Sequence, residues 1–176
     1  MSYYNGGSLS VNGNLKLYYV SEKYRKDLAY MVKDPKTMKW IANGQPWTDE
    51  KIDKFIKFAQ DEKENNNKWY TRSIILNGRL IGIVQIHPVQ YREGKNKFFL
   101  TIFINYRYRG QGIGPIVIKR AVRNYERLFT VDDNKIYMDV RINNTSMLKL
   151  IDKMNFTKIG DDFDIGRNIY RRFVIS

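Results

Sequence analysis

The sequence predicts an α/β protein, a mixed sheet flanked by helices, on three observations. Strand-like and helix-like runs follow one another without a regular β–α repeat, which suits a layered α/β sandwich and not a doubly wound nucleotide fold. The dipeptide Asn77-Gly78 separates two apolar runs, residues 69–76 and 80–87, and is a strong short-range hairpin signal. The apolar run 98–104 then passes through Arg109-Gly110-Gln111-Gly112-Ile113-Gly114 into a helical pattern over 115–128.

Each element has its own local reason. Residues 15–20, rich in Leu, Tyr and Val, read as the first strand. Ser21 can cap a helix that reaches about Met31 and is interrupted by Asp34-Pro35. Gly44-Gln45-Pro46-Trp47 turns into a second helix, capped by Thr48, with Ile52, Phe55, Ile56 and Ala59 on one face. That helix is expected to dissolve over 62–68, a polar stretch with three consecutive asparagines. After the hairpin and the polar segment 88–97 comes the central strand, then the helix 115–128, a strand over 136–142 and a helix over 144–154. Two strands are expected within 156–176. Core candidates are Ile74, Ile75, Ile81, Ile83, Val84, Phe99, Ile102, Val117, Ala121, Ile136 and Val140.

A chain of 176 residues fits one domain, expected over 15–176 behind a polar, Gly/Ser/Asn-rich extension at 1–14. It can bury roughly two-thirds of its unfolded surface and needs no staple. The extension has neither the basic start nor the apolar stretch of a signal peptide, and no run reaches the roughly 18 apolar residues of a membrane span. Without cysteine there is no disulfide, thiol nucleophile or thiolate metal site, which suits a reducing, cytoplasmic setting. A single histidine argues against zinc, and no metal is expected. Thirty-one Lys and Arg against eighteen Asp and Glu give a net charge of +13, and residues 92–127 alone hold nine basic and two acidic side chains. Such a field could focus a polyanionic cofactor, or nucleic acid and ribonucleoprotein through a basic surface.

The glycine loop is the most informative stretch. A strand that runs through glycines into a helix N-terminus converges backbone N–H groups where the helix dipole favours negative charge, so phosphate is the expected guest. It is neither a Gly-x-Gly-x-x-Gly fingerprint nor a Gly-Lys-Ser/Thr loop. Glycine there also lets a ligand approach the chain closely.

The chain resembles the GCN5-related N-acetyltransferase family, in the branch that includes ribosomal-protein and polyamine acetyltransferases. The family's pyrophosphate loop, Arg/Gln-x-x-Gly-x-Gly/Ala, is matched by Arg109, Gly112 and Gly114. The run from Asn144 to Phe156 is similar to that branch's Asn-x-x-Ser-x-x-x-x-Glu-Lys-x-Gly-Phe. The resemblance implies a mixed, mostly antiparallel central sheet and transfer of an acetyl group from acetyl-CoA to a primary amine of a protein, peptide or small molecule, by direct attack on the thioester. It implies that Ile102, Phe103 and Ile104 pair with the pantetheine arm, that Arg109, Gly110, Gln111, Gly112, Ile113 and Gly114 hold the pyrophosphate, and that Asn144 orients the arm while capping the last helix. Arg107 and Arg120 are further candidates for phosphate contact. Ile151 stands where the family commonly places a tyrosine that protonates the departing thiolate, and Asn155 stands where glycine is usual.

Direct transfer requires a neutral amine and donors for the developing oxyanion; a backbone N–H at Ile102 or Ile104 is the candidate donor. His87, Glu93 and Asp139 are the candidate bases. Trp40, Trp47, Trp69, Tyr106, Tyr108 and Tyr170 are candidates to line an acceptor pocket, with loops 33–47 and 89–97 around it. The competing reading is a non-catalytic module on the same fold that binds acyl-CoA or nucleic acid. A monomer or homodimer without membrane attachment is expected in either case.

Overall fold

The structure, a computed structural model, describes residues 14–65, 68–90, 96–129 and 135–175. In chain order the elements are β1 (Leu15–Tyr19), α1 (Arg25–Val32), α2 (Pro35–Met38), α3 (Asp49–Asn65), β2 (Tyr70–Leu76), β3 (Arg79–Gln90), β4 (Asn96–Ile104), α4 (Ile113–Leu128), β5 (Ile136–Arg141), α5 (Thr145–Lys153), β6 (Thr157–Ile165) and β7 (Asn168–Ile175). The strands form one seven-stranded sheet in the order β1-β2-β3-β4-β5-β7-β6. Every neighbouring pair is antiparallel except β4 and β5.

The β2–β3 hairpin closes because Asn77 and Gly78 both adopt left-handed backbone, φ 51 and 81, which matches the twist of paired strands. Side chains then alternate between two cores. On one face Ile74, Val84, Phe98, Leu100, Ile102 and Ile136 pack against α4, which contributes Ile113, Val117, Ile118, Ala121 and Tyr125 at helical spacing. On the other, Ile75, Leu80, Ile83 and Phe103 meet Leu28, Met31, Val32, Ile52, Ile56 and Ala59 of α1 and α3. Each of the Val, Leu, Ile, Met and Phe side chains among them contributes roughly 1.5–3 kcal/mol by leaving water. All eleven predicted core residues are buried.

The interruption expected at Asp34-Pro35 is present, since α1 ends at Val32, and Pro35 begins a separate short helix, α2: the Asp34 carboxylate accepts from the N–H groups of Lys36 and Thr37, and Pro35 takes the first helical position, where its missing N–H costs nothing. Two local expectations change. Helix α3 runs on to Asn65 through part of the expected loop. Glu62 explains this, since its buried carboxylate accepts the N–H of Thr71 at 2.8 Å and faces Arg72 at 3.4 Å, tying the helix end to β2. Helix α4 starts at Ile113, two residues before Pro115. Residues 1–13 of the expected extension lie outside the described residues. Among the described residues no helix is long and apolar enough to cross a membrane.

Candidate active site

Strands β4 and β5 pair at only two steps, Phe98 with Ile136 and Phe99 with Tyr137. Beyond them a cavity of about 460 Å³ opens between residues 100–104 and 138–141. Asn105 donates its N–H to the Ile81 carbonyl at 2.8 Å, so Phe103, two residues back, also turns its main-chain polar groups to β3. Those of Ile102 and Ile104 therefore point to the β5 side. This separates the three residues expected to meet an extended arm: Ile102 and Ile104 present main-chain groups to the fork, whereas Phe103 sends its ring into the core against Trp47.

The glycine loop closes one end of the cavity. Gly112 is the N-cap of α4 at φ 74, with no side-chain cap, so the first N–H groups of the helix have no capping acceptor from that residue. Gly110, Gly112, Ile113 and Gly114 line the cavity. Gly114 permits α5 to lie close: a Cβ there would sit 2.7 Å from the Leu150 Cδ1. Gln111 turns away, donating to the Arg107 carbonyl at 3.1 Å.

The arginines do not act as the sequence suggests. Arg109 lines the cavity, yet its guanidinium donates to three carbonyls, Ile104 at 2.9 Å, Lys36 at 3.3 Å and Thr37 at 2.8 Å. Its side chain fastens α2 to the loop. Arg107 is exposed and donates to the Tyr106 hydroxyl at 3.2 Å, a bond that raises its pKa, and Arg120 donates to the Leu15 carbonyl at 2.6 Å on the sheet's far edge. Neither lines the cavity.

Helix α5 forms another wall. Asn144 caps it by accepting the Met147 N–H at 3.3 Å and also lines the cavity, so its capping role and a cavity-facing position coexist. Met147, Leu150 and Lys153 recur at helical spacing on the same side. Ile151 packs into the main core, 1% exposed, and is not a lining residue. Asn155 has φ 56, the left-handed geometry that glycine usually supplies at this place.

The segment after α2 crosses the fork as a strap. Trp40 and Ile41 line the cavity, and Arg141 of β5 donates to the carbonyls of Lys39 and Ala42 while its Nε donates to the Tyr170 hydroxyl at 3.1 Å. Arg109 of the glycine loop thus fixes α2, and Arg141 of β5 fixes the strap that follows it. Sequence reasoning missed this use of Arg141; the signal was a charged residue continuing the Tyr137, Asp139 alternation at a strand end. Of the aromatic candidates, Trp40, Tyr108 and Tyr170 line the cavity. Trp47 is buried beside Phe55, Trp69 stacks on His87, and Tyr106 contacts Arg107.

The candidate bases separate widely. Asp139 lines the cavity, but both its oxygens accept from Arg172, each at 2.7 Å. His87 lies outside the cavity lining, stacked on Trp69 with ring centroids 5.1 Å apart, and burial pushes its pKa down. Glu93 lies outside the described residues. Among the described residues no group of three or more His, Asp or Glu is placed to hold a metal ion.

A mixed sheet that forks between two parallel strands, with a glycine turn and a helix N-terminus at the fork, defines an acetyltransferase fold. The chain belongs to the acetyltransferase (GNAT) domain family, whose profile matches residues 14–157. No curated protein matches it significantly in sequence. Among solved structures it is similar to a GNAT-family acetyltransferase from Streptococcus pneumoniae, at 19% identity and TM-score 0.70 over 92% of this chain and 99% of that one. It is also similar to the spermidine N-acetyltransferase of Vibrio cholerae in complex with CoA and spermine, at 18% identity and TM-score 0.70 over 92% and 94%. RimL, a ribosomal L7/L12 alpha-N-protein acetyltransferase in complex with coenzyme A, gives 12% identity and TM-score 0.77 over 95% and 96%. At these identities the likeness establishes the fold.

Proposed function

We propose that the protein transfers an acetyl group from acetyl-CoA to a primary amine. The observation that carries this is the coincidence of the fork edge with a helix N-terminus whose cap supplies no side-chain acceptor. The residues present fit the cofactor. N–H groups at Gly112, Ile113 and Gly114 form an anion cradle for the pyrophosphate, the main-chain groups of Ile102 and the N–H of Ile104, whose carbonyl already accepts from Arg109, suit an extended amide-bearing arm, and Lys149 and Lys153 add positive charge along α5. When bound, acetyl-CoA supplies the thioester that the amine attacks directly. The Ile102 or Ile104 edge can donate to the developing oxyanion, and Asn144 orients the arm. The solved relatives include complexes with CoA alongside spermine and an alpha-N-protein acetyltransferase, so the shared fold serves different amines.

The test is calorimetric titration with CoA, followed by amine-dependent CoA release across protein N-termini, lysine peptides and small amines. Micromolar CoA binding and amine-dependent release support the reading; a folded chain that does neither overturns it. A non-catalytic acyl-CoA or nucleic-acid-binding module is the second reading, favoured by Asp139 being matched to Arg172 and by Ile151 lying in the core. CoA binding without transfer to any amine would support that module, as would RNA binding that falls steeply with salt.

A further inference from the structure

The acceptor-side wall of the cavity has an unusual charge arrangement. Thr101 of β4 and Asp139 and Arg141 of β5 lie on the sheet face turned toward α1 and α3, with Tyr170 of β7 beside them and Trp40 and Ile41 on the strap opposite. Asp139 is the one carboxylate lining the cavity among the described residues. Arg172 matches its charge through two bonds of 2.7 Å. Arg141 has the opposite standing: its hydrogen-bond partners are two carbonyls and a phenol, all neutral. The other lining cations are Arg109, Lys149 and Lys153. Arg109 also donates to carbonyls, with Asp34 acting on it only through the longer-range field. CoA phosphates would offset the cations of the loop and of α5, leaving Arg141 as the unmatched charge on the acceptor side.

An ammonium ion brought to such a wall meets a like charge and finds its one nearby carboxylate already matched. The wall therefore favours whichever amine gives up its proton most readily. At pH 7 an α-amino group is neutral in roughly one molecule in ten, whereas a lysine amine is neutral in about one in 2,500, from their ordinary pKa values. That difference exceeds a hundredfold before the cavity acts. A polyamine adds further positive charges that the wall would have to accept.

We infer that the acceptor is an α-amino group, taken as the neutral amine, in preference to a lysine side chain or a polyamine. The inference rests on the N-acetyltransferase reading and deepens it. In the step itself the lone pair of the neutral amine forms the new C–N bond, the proton that this bond makes acidic passes from nitrogen to solvent, and the C–S bond breaks with its electron pair on sulfur, so that CoA leaves as a thiolate that solvent protonates.

The experiment compares three probes at matched concentration from pH 6.5 to 9: a lysine-free hexapeptide with a free N-terminus, the same peptide with its N-terminus blocked and one internal lysine, and spermidine. CoA release and product mass are read. The free N-terminus should give at least a tenfold higher kcat/KM, with an apparent pKa at or below the α-amine's ordinary value of about 8. Arg141→Gln should narrow that preference and move the apparent pKa up by about half a unit, while Arg141→Lys, which keeps the charge, should leave the pH profile near wild type. Equal or faster transfer to the lysine peptide or spermidine overturns the inference, as does transfer to none of the three by a chain that binds acetyl-CoA. Failure to bind CoA overturns instead the reading of the cleft. Should Arg141→Gln not fold, the wild-type preference decides alone.

Discussion

Phe99 and Tyr137 form the last paired step of β4 and β5, and their rings lie 5.6 Å apart where the two strands part. Both are buried, with the Arg172 guanidinium 4.9 Å over the Phe99 ring and the Lys97 ammonium 5.5 Å over that of Tyr137. The cleft thus begins at an aromatic pair that seals the fork below it. Phe99→Ala should cost about 3–5 kcal/mol, from lost burial and the cavity left behind, and lower Tm by about 10 °C. Phe99→Leu, which keeps most of the volume, should cost under about 1.5 kcal/mol. Thermal denaturation of the two variants checks this; equal losses would mean that the site collapses around the deletion and that the ring does not hold the fork.

Gly110 and Gly112 share the same φ of 74 but not the same place in the loop. A Cβ on Gly110 meets nothing within 4 Å, so Gly110→Ala should carry only the backbone strain of about 1–2 kcal/mol. Gly112 is the N-cap itself, and a side chain there alters the turn that aims the first N–H groups of α4. If phosphate contacts of about 1.5–3 kcal/mol are lost, CoA affinity should fall roughly tenfold to more than a hundredfold in Gly112→Ala. Calorimetry alongside circular dichroism measures both effects. Unchanged affinity in a folded Gly112→Ala would remove the loop from the binding site.

The order of elements was legible because its signals are local. Asn77-Gly78 can hardly be other than a hairpin turn, and Ile52, Ile56 and Ala59 mark their helix face by spacing alone. Asp34-Pro35 marks the break after the first helix, and the same acidic cap before proline also starts the short α2. Glu62 could not be read as a helix residue, because what retains it there is Thr71 and Arg72 on the next strand. In the site, the glycine loop and Asn144, both of which line the cavity, were legible, the loop from its place between a strand and a helix and Asn144 from its cap position and the family resemblance. The roles of Arg109, Arg141 and Asp139 were not, because each depends on a partner far along the chain: Lys36 and Thr37, Lys39 and Ala42, and Arg172.

Asp139 and Arg172 provide a direct test of whether the cavity's carboxylate is a base or a structural partner. Asp139→Asn leaves Arg172 with a weaker, neutral acceptor, which should cost about 1.5–3 kcal/mol for hydrogen bonds to charged groups. As a matched ion pair, Asp139 should contribute little to chemistry, so kcat with a working amine acceptor should change less than tenfold. Loss of a general base would instead lower it by roughly a hundredfold or more. Urea unfolding and steady-state rates on the same preparation separate the two; a folded variant with a collapsed kcat would make Asp139 the base.

His87 should reveal itself in the pH dependence of stability, not of catalysis. Its ring is stacked on Trp69 and lies 6.3 Å from that of Phe99, its Nδ1 is buried without a hydrogen-bond partner, and burial lowers its pKa. Below its ordinary value of about 6.5 the unfolded chain binds a proton that the folded chain resists. Stability is therefore complete above that pH and declines as pH falls through the lower folded-state value. Asp162 titrates elsewhere: Arg171 holds its carboxyl down to about 2, so its contribution is present above the ordinary Asp pKa and is lost only as pH falls through that lower value. His87→Phe, which keeps an aromatic ring between Trp69 and Phe99, should remove the decline that begins below pH 6.5 and leave the carboxylate limb at lower pH in place. Urea unfolding of both proteins at half-unit steps from pH 8 to 3 measures the difference. Parallel curves from pH 8 to 5 would show that His87 is not the group responsible.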